Sequence, residues 1–156
     1  MKKLFCVASS LFFCAAVLPA QENIQQKSID PRSVKNNERI VHRNQNGSVV
    51  GSSVRSGNQI IHRDSFGRIT GTSTVSGSRV VYRDSSGRIT GSSTVSGSQT
   101  IYRDSSGRIN ATAQKSGSST VYRDQSGKIV NRSTVSGSQT IYRDASGRIS
   151  GTSRNL

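Results

Sequence analysis

The 156-residue chain has no tryptophan, one methionine, two prolines, two histidines and two cysteines, and only eight acidic residues stand against 22 lysines and arginines. Hydrophobic residues make up 31% of it and aromatic residues 5%. That is well short of the apolar share of ordinary globular domains. So little core material excludes a compact enzyme with a thick interior, because few apolar side chains are present to offset the entropy of ordering the chain. Fifteen glycines, recurring about every ten residues, exclude a helical bundle, since glycine inside a helix is expensive.

Both cysteines, Cys6 and Cys14, fall in an N-terminal stretch with the layout of an export signal. Lys2 and Lys3 form a basic start, Leu4 to Leu18 is apolar apart from Ser9 and Ser10, and Pro19-Ala20 offers a cleavage end. The apolar run is about 15 residues, short of the roughly 20 that a membrane span needs. The expectation is a signal peptide over residues 1–20, bacterial-type export, and a periplasmic, cell-surface or extracellular destination. Cleavage would remove both thiols, and with them any disulfide, thiolate nucleophile or cysteine metal site. It would also lower the formal charge from +14 to +12 by removing Lys2 and Lys3. Residues 21–36 are polar and rich in Gln and Asn, with Pro31 among them, and are expected to form a disordered leader.

What is abundant is repetition. His42-Arg43-Asn44 returns as His62-Arg63-Asp64, and then as Tyr-Arg-Asp at 82–84, 102–104, 122–124 and 142–144. The spacing is 20 residues throughout, and Gly47, Gly67, Gly87, Gly107, Gly127 and Gly147 keep step. A second glycine series runs from Gly57 to Gly137 at the same interval. Residues 37–156 therefore read as a six-copy array. Asp84-Ser85-Ser86-Gly87 has the chemistry of a type I turn closed by a left-handed glycine, a bulged hairpin. Ser96-Gly97-Ser98 punctuates the other end of the unit. Between these turns lie short β-branched and aromatic runs. The fold class is all-β, two short strands per repeat.

Counting alternate residues without a break through the unit puts Val81, Ile89, Val95, Ile101 and Ile109 on one apolar face. Tyr82, Asp84, Arg88, Thr90 and Thr94 then share the other. Two assemblies satisfy the pattern. An elongated antiparallel hairpin meander keeps Arg83, Arg103, Arg123 and Arg143 two strand spacings apart, about 9.6 Å. The alternative, a β-solenoid, buries the aliphatic seam better but stacks those arginines about 4.8 Å apart. The meander is the expected form.

At the Tyr-Arg-Asp-x-x-Gly-Arg-Ile core the chain resembles the YD repeats of Rhs-type and toxin-complex proteins, through Tyr82, Asp84, Gly87, Arg88, Ile89 and their later copies. That resemblance implies antiparallel hairpins. The departures are Arg83, inserted between Tyr and Asp, and serine where YD repeats carry bulk. The Ser/Gly/Gln texture is also similar to curli-type repeat subunits, although Gln59, Gln99 and Gln139 occur only in alternate copies. This likeness implies self-association through strand edges.

Catalytic chemistry finds little support. His42 and His62 stand where later repeats carry tyrosine, and read as tyrosine substitutes. The serines of most repeats have no histidine partner for a Ser-His-Asp arrangement. The aspartates of the Asp84 series read as turn caps, because an Arg or Lys follows each within four residues and disfavours a divalent cation. No cofactor, metal or small-molecule substrate is expected. The best binding signal is the basic rows: Arg63, Arg83, Arg103, Arg123 and Arg143, with Arg68, Arg88, Arg108, Lys128 and Arg148. Tyr82, Tyr102, Tyr122 and Tyr142 would run beside them as stacking platforms. Such stripes suit nucleic acid, an acidic polysaccharide or an anionic outer-membrane surface. The functional expectation is an exported, non-enzymatic structural or interaction protein. The alternatives are a polyanion-binding module and a self-assembling, amyloid-like matrix subunit.

Overall fold

A computed structural model describes residues 34–156, all β apart from turns. The expected signal segment and most of the polar leader lie outside the described residues. Twelve strands follow in order: β1 (Arg39–Asn44), β2 (Val49–Ser56), β3 (Gln59–Asp64), β4 (Ile69–Ser76), β5 (Arg79–Asp84) and β6 (Ile89–Ser96), then β7 (Gln99–Asp104), β8 (Ile109–Ser116), β9 (Ser119–Asp124), β10 (Ile129–Ser136), β11 (Gln139–Asp144) and β12 (Ile149–Asn155). Each strand pairs antiparallel with its chain neighbours, and β1 pairs with β12. The hairpin meander is therefore the architecture, and a solenoid is not. The meander does not run on as an elongated ribbon, however. It closes into a barrel.

Closure follows from a device repeated six times. Gly87 N–H donates to the Asp84 carbonyl at 3.0 Å, and Asp84 N–H to the Arg88 carbonyl at 3.0 Å. Gly87 has φ +81°, a region that penalises any Cβ. Just beyond this turn the register slips: Arg83 faces Ile89, but Tyr82 faces Gly91, leaving Thr90 as an extra residue. The same slip recurs in every hairpin of this kind. Bulges bend and twist a strand, and six of them at one end curl the sheet until its edges meet. Pairing the edges also removes the unsatisfied N–H and C=O groups that an open ribbon would expose.

The other turns are two residues long. Ser76 pairs with Arg79 across Gly77-Ser78, and Gly77 has φ +55°. Glycine at the first central position with positive φ is the type II′ arrangement, whose twist suits a hairpin. Partners across a sheet share a face, so an even loop joins odd positions of one strand to even positions of the next. Together with the extra residue at each bulge, that overturns the unbroken alternation expected from the sequence. The inner face carries Val80, Tyr82 and Asp84 from β5 with Gly91, Ser93 and Val95 from β6. Ile89 and Ile109 lie outside, 44% and 45% exposed, and Val81 and Ile101 sit half-buried on the same outer side. The core is a wall of inward side chains, among them Val80, Tyr82, Tyr102, Ala113 and Tyr122.

The last residues of the leader are docked. Arg55 Nη1 donates to the Val34 carbonyl at 2.7 Å, and Gly57 N–H donates to Asn36 Oδ1 at 2.8 Å.

Candidate functional site

Two groups of side chains carry chemistry, one outside the barrel and one within. The outer group gathers at the end formed by the bulged turns. Strand directions bring all six of these turns to one rim, and with them the arginines that precede and follow each turn. The stripes expected along a ribbon thus become rings. The first ring is held in place by the turns themselves. Arg63, Arg83, Arg103, Arg123 and Arg143 each donate from Nη1 to the carbonyl of the turn glycine four residues on, at 2.8, 2.9, 3.0, 2.9 and 3.0 Å. Arg43 does the same to Gly47 at 2.8 Å and completes the circuit. Sequence reasoning missed Arg43 because its repeat is degenerate, although the 20-residue period marks it. Arg132, also missed, lies on the outer face directly opposite Arg143.

The second ring, Arg68, Arg88, Arg108, Lys128 and Arg148, is exposed. Its residues contribute backbone N–H groups to the turn aspartates: Arg88 N–H reaches Asp84 Oδ1 at 2.9 Å, as does Ser86 N–H. The aspartates are thus turn caps. At Asp64 the side chain of Arg68 joins in, with Nε 2.8 Å from Oδ2. Desolvation works against ionisation of Asp64, and hydrogen bonds from Arg68 and Phe66 outweigh it, holding the carboxyl below its ordinary value. At Asp124 and Asp144 the hydroxyls of Ser126 and Ser146 are the main cause of the same downward shift. Eleven cations meet five aspartates here, so the rim is strongly positive. Phe66 projects from it, 82% exposed, with the Arg68 guanidinium 5.2 Å from its ring centre.

The tyrosines are not part of this surface. Tyr82, Tyr102, Tyr122 and Tyr142 point inward and are only 6%, 8%, 4% and 0% exposed. Alternation sets a tyrosine and the arginine after it on opposite sides of the sheet, so the stacking role expected for these rings is withdrawn. Tyr82 instead faces Gly91, and its hydroxyl lies 2.9 Å from Ser93 Oγ. A Cβ at Gly91 would collide with the Arg103 carbonyl.

His42 and His62 occupy the tyrosine places and build a chain that no motif announced. Ser153 Oγ lies 2.8 Å from His42 Nδ1, and His42 Nε2 lies 2.9 Å from Ser53 Oγ. Ser53 Oγ is 2.8 Å from His62 Nδ1, and His62 Nε2 is 2.7 Å from Ser73 Oγ. A neutral imidazole donates at one nitrogen and accepts at the other, while a hydroxyl does both. The five groups therefore satisfy one another in a single directional relay across β12, β1, β2, β3 and β4. Both histidines are lowered to a pKa of about 4, chiefly by burial, with the charge of His62 a smaller cause at His42. Both are neutral at pH 7. The 20-residue alignment of serines 53, 73, 93, 133 and 153 was the signal in the sequence, but it acquires meaning only once the inner face is known.

No protein-family model matches the chain, and no curated protein sequence does either. Among solved structures, the X-ray structure of a protein from Arabidopsis thaliana is similar in fold, with a TM-score of 0.54 at 11% identity, over 82% of this chain and 85% of that one. At that identity the likeness concerns the fold alone.

Proposed function

We propose that this chain is an exported, non-enzymatic interaction module whose cationic rim holds an anionic polymer, with an acidic polysaccharide favoured over nucleic acid. The observation that carries this reading is the ring of six arginines pinned to turn carbonyls. Each guanidinium is positioned before any ligand arrives, so less side-chain entropy is lost on binding, and one hydrogen bond leaves four further N–H donors on each. Single-stranded nucleic acid is typically gripped by aromatic stacking as well as charge. With the tyrosines inside, charge is the main attraction, which suits a sulfated or carboxylated chain. An anionic membrane surface fits the same chemistry at the rim. A bilayer-spanning role fits poorly: the strands have six to eight residues and their outer face alternates Arg, Ser and Thr with Val and Ile, whereas a spanning strand needs about 9–11 residues and a continuous apolar band.

The test is binding to a sulfated polysaccharide and to single-stranded DNA across a salt series. Affinity should fall linearly with the logarithm of salt concentration, by about −0.7 per phosphate contact for the DNA. Replacing Arg83, Arg103, Arg123 and Arg143 by Gln should lower the slope by several units. Replacing Arg39, Arg79, Lys115 and Arg154, four exposed cations towards the opposite end, should lower it far less. Equal losses from the two sets, or no binding at about 0.15 M salt, would make the rim a solubilising surface only.

A further inference from the structure

The closing joint of the barrel is not a special contact. Ile40 faces Asn155, His42 faces Ser153 and Asn44 faces Gly151. Across an internal two-residue turn, Val80 faces Val75, Tyr82 faces Ser73 and Asp84 faces Gly71. Subtracting the 20-residue period makes these the same pairing: β12 meets β1 as though a further repeat followed. The backbone continues the equivalence. Asn155 N–H donates to the Ser138 carbonyl as Val75 N–H does to Asn58, and Leu156 N–H donates to the Arg39 carbonyl. Asn37, at the place held by glycine in later repeats, has φ +63°. What the joint lacks is a covalent turn, and it spans five residue pairs where the internal equivalents span six.

A surface that accepts the end of its own chain as a next repeat accepts the same end of another copy equally well. We propose that β1 and β12 form an exchangeable seam, through which copies of this chain join head to tail into multimers with the β12–β1 register unchanged. The contact is heterologous, so an opened chain adds partners without a built-in stop. Within one molecule the two edges are held at an effective concentration of about millimolar, so the closed monomer dominates in dilute solution. Multimers form when chains fold in concentrated solution, before each has closed. This inference is independent of the rim's ligand.

The test uses the full chain with Cys6→Ser and Cys14→Ser, so that introduced thiols are the only ones. Val41→Cys and Arg154→Cys are placed together, since these residues are partners across the seam. A second protein carries Thr74→Cys and Val81→Cys, partners within one hairpin. Each is refolded from denaturant at micromolar and near-millimolar concentration, sized by light scattering, oxidised and run on a non-reducing gel. The expected result is monomer at low concentration. At high concentration, multiples of 16.7 kDa should appear, linked as a ladder by the seam pair but never by the hairpin pair. Monomer at every concentration, or multimers in which the seam pair links only within a chain, would overturn the proposal.

Discussion

Lowering the pH from 6.5 to 4 should cost the barrel several kcal/mol of stability, and most of that loss should vanish when His42 and His62 are replaced by Tyr. Both imidazoles have pKa values of about 4 in the barrel against 6.5 in an unfolded chain, chiefly because burial disfavours their charged form. Between these values the unfolded chain binds more protons than the folded one, so stability falls as pH falls. It is fully present above pH 6.5 and has drained by about pH 4. A difference of this size corresponds to about 3 kcal/mol per imidazole, a large share of the 5–15 kcal/mol that holds a typical domain. Asp64, Asp124 and Asp144 add a separate loss at lower pH, as carboxyls held below 3.8 are forced to protonate. Tyrosine is the natural substitute, since Tyr82 already sits opposite the same Gly and Ser partners. Urea unfolding at pH 7 and pH 4.5 measures the effect. An undiminished pH loss in the double variant would show that the drained stability resides elsewhere.

Tyr142→Ala should destabilise by about 3–5 kcal/mol, in the range found for emptying a large aromatic site in a core, because Tyr142 is 0% exposed. Ile89→Ala should cost about 1 kcal/mol, since Ile89 is 44% exposed on the outer face and full burial of such a side chain is worth roughly 1.5–3 kcal/mol. The comparison separates two assignments of the same residues. Unbroken alternation makes Ile89 a core residue and Tyr142 a surface one. The bulges and the two-residue turns together make the tyrosine side the inner one. A ranking by urea midpoint with Ile89→Ala the more damaging would restore the rejected face.

The array, its strands, its bulged turn at Asp84–Gly87 and its antiparallel meander were legible in the sequence, because each rests on a local rule: spacing, turn chemistry or β-propensity. The inner face was not. It depends on two breaks of alternation in each repeat, the even loop at Gly77-Ser78 and the bulge at Thr90, which together put Tyr82, Gly91 and Ser93 on one face and Ile89 on the other. The error moved Tyr82 and its copies from the core to an imagined binding surface. Closure was illegible for another reason. No single bulge produces it; it is the sum of six bends over 120 residues, and it is satisfied only when β12 reaches β1. The histidine relay lies downstream of both, since His42 meets Ser153 only across the closed seam.

Closure is therefore the claim on which the rim, the buried relay and the seam all depend. It is tested most directly by the distance between spin labels attached through Arg43→Cys and Thr152→Cys, with Cys6 and Cys14 replaced by Ser, in dilute solution. These residues are partners across the seam, so pulsed electron resonance should give a single short separation, about 5 Å between backbones plus the label linkers. An open twelve-strand meander would separate them by eleven strand spacings, about 50 Å, and a distribution centred there would contradict the closed barrel.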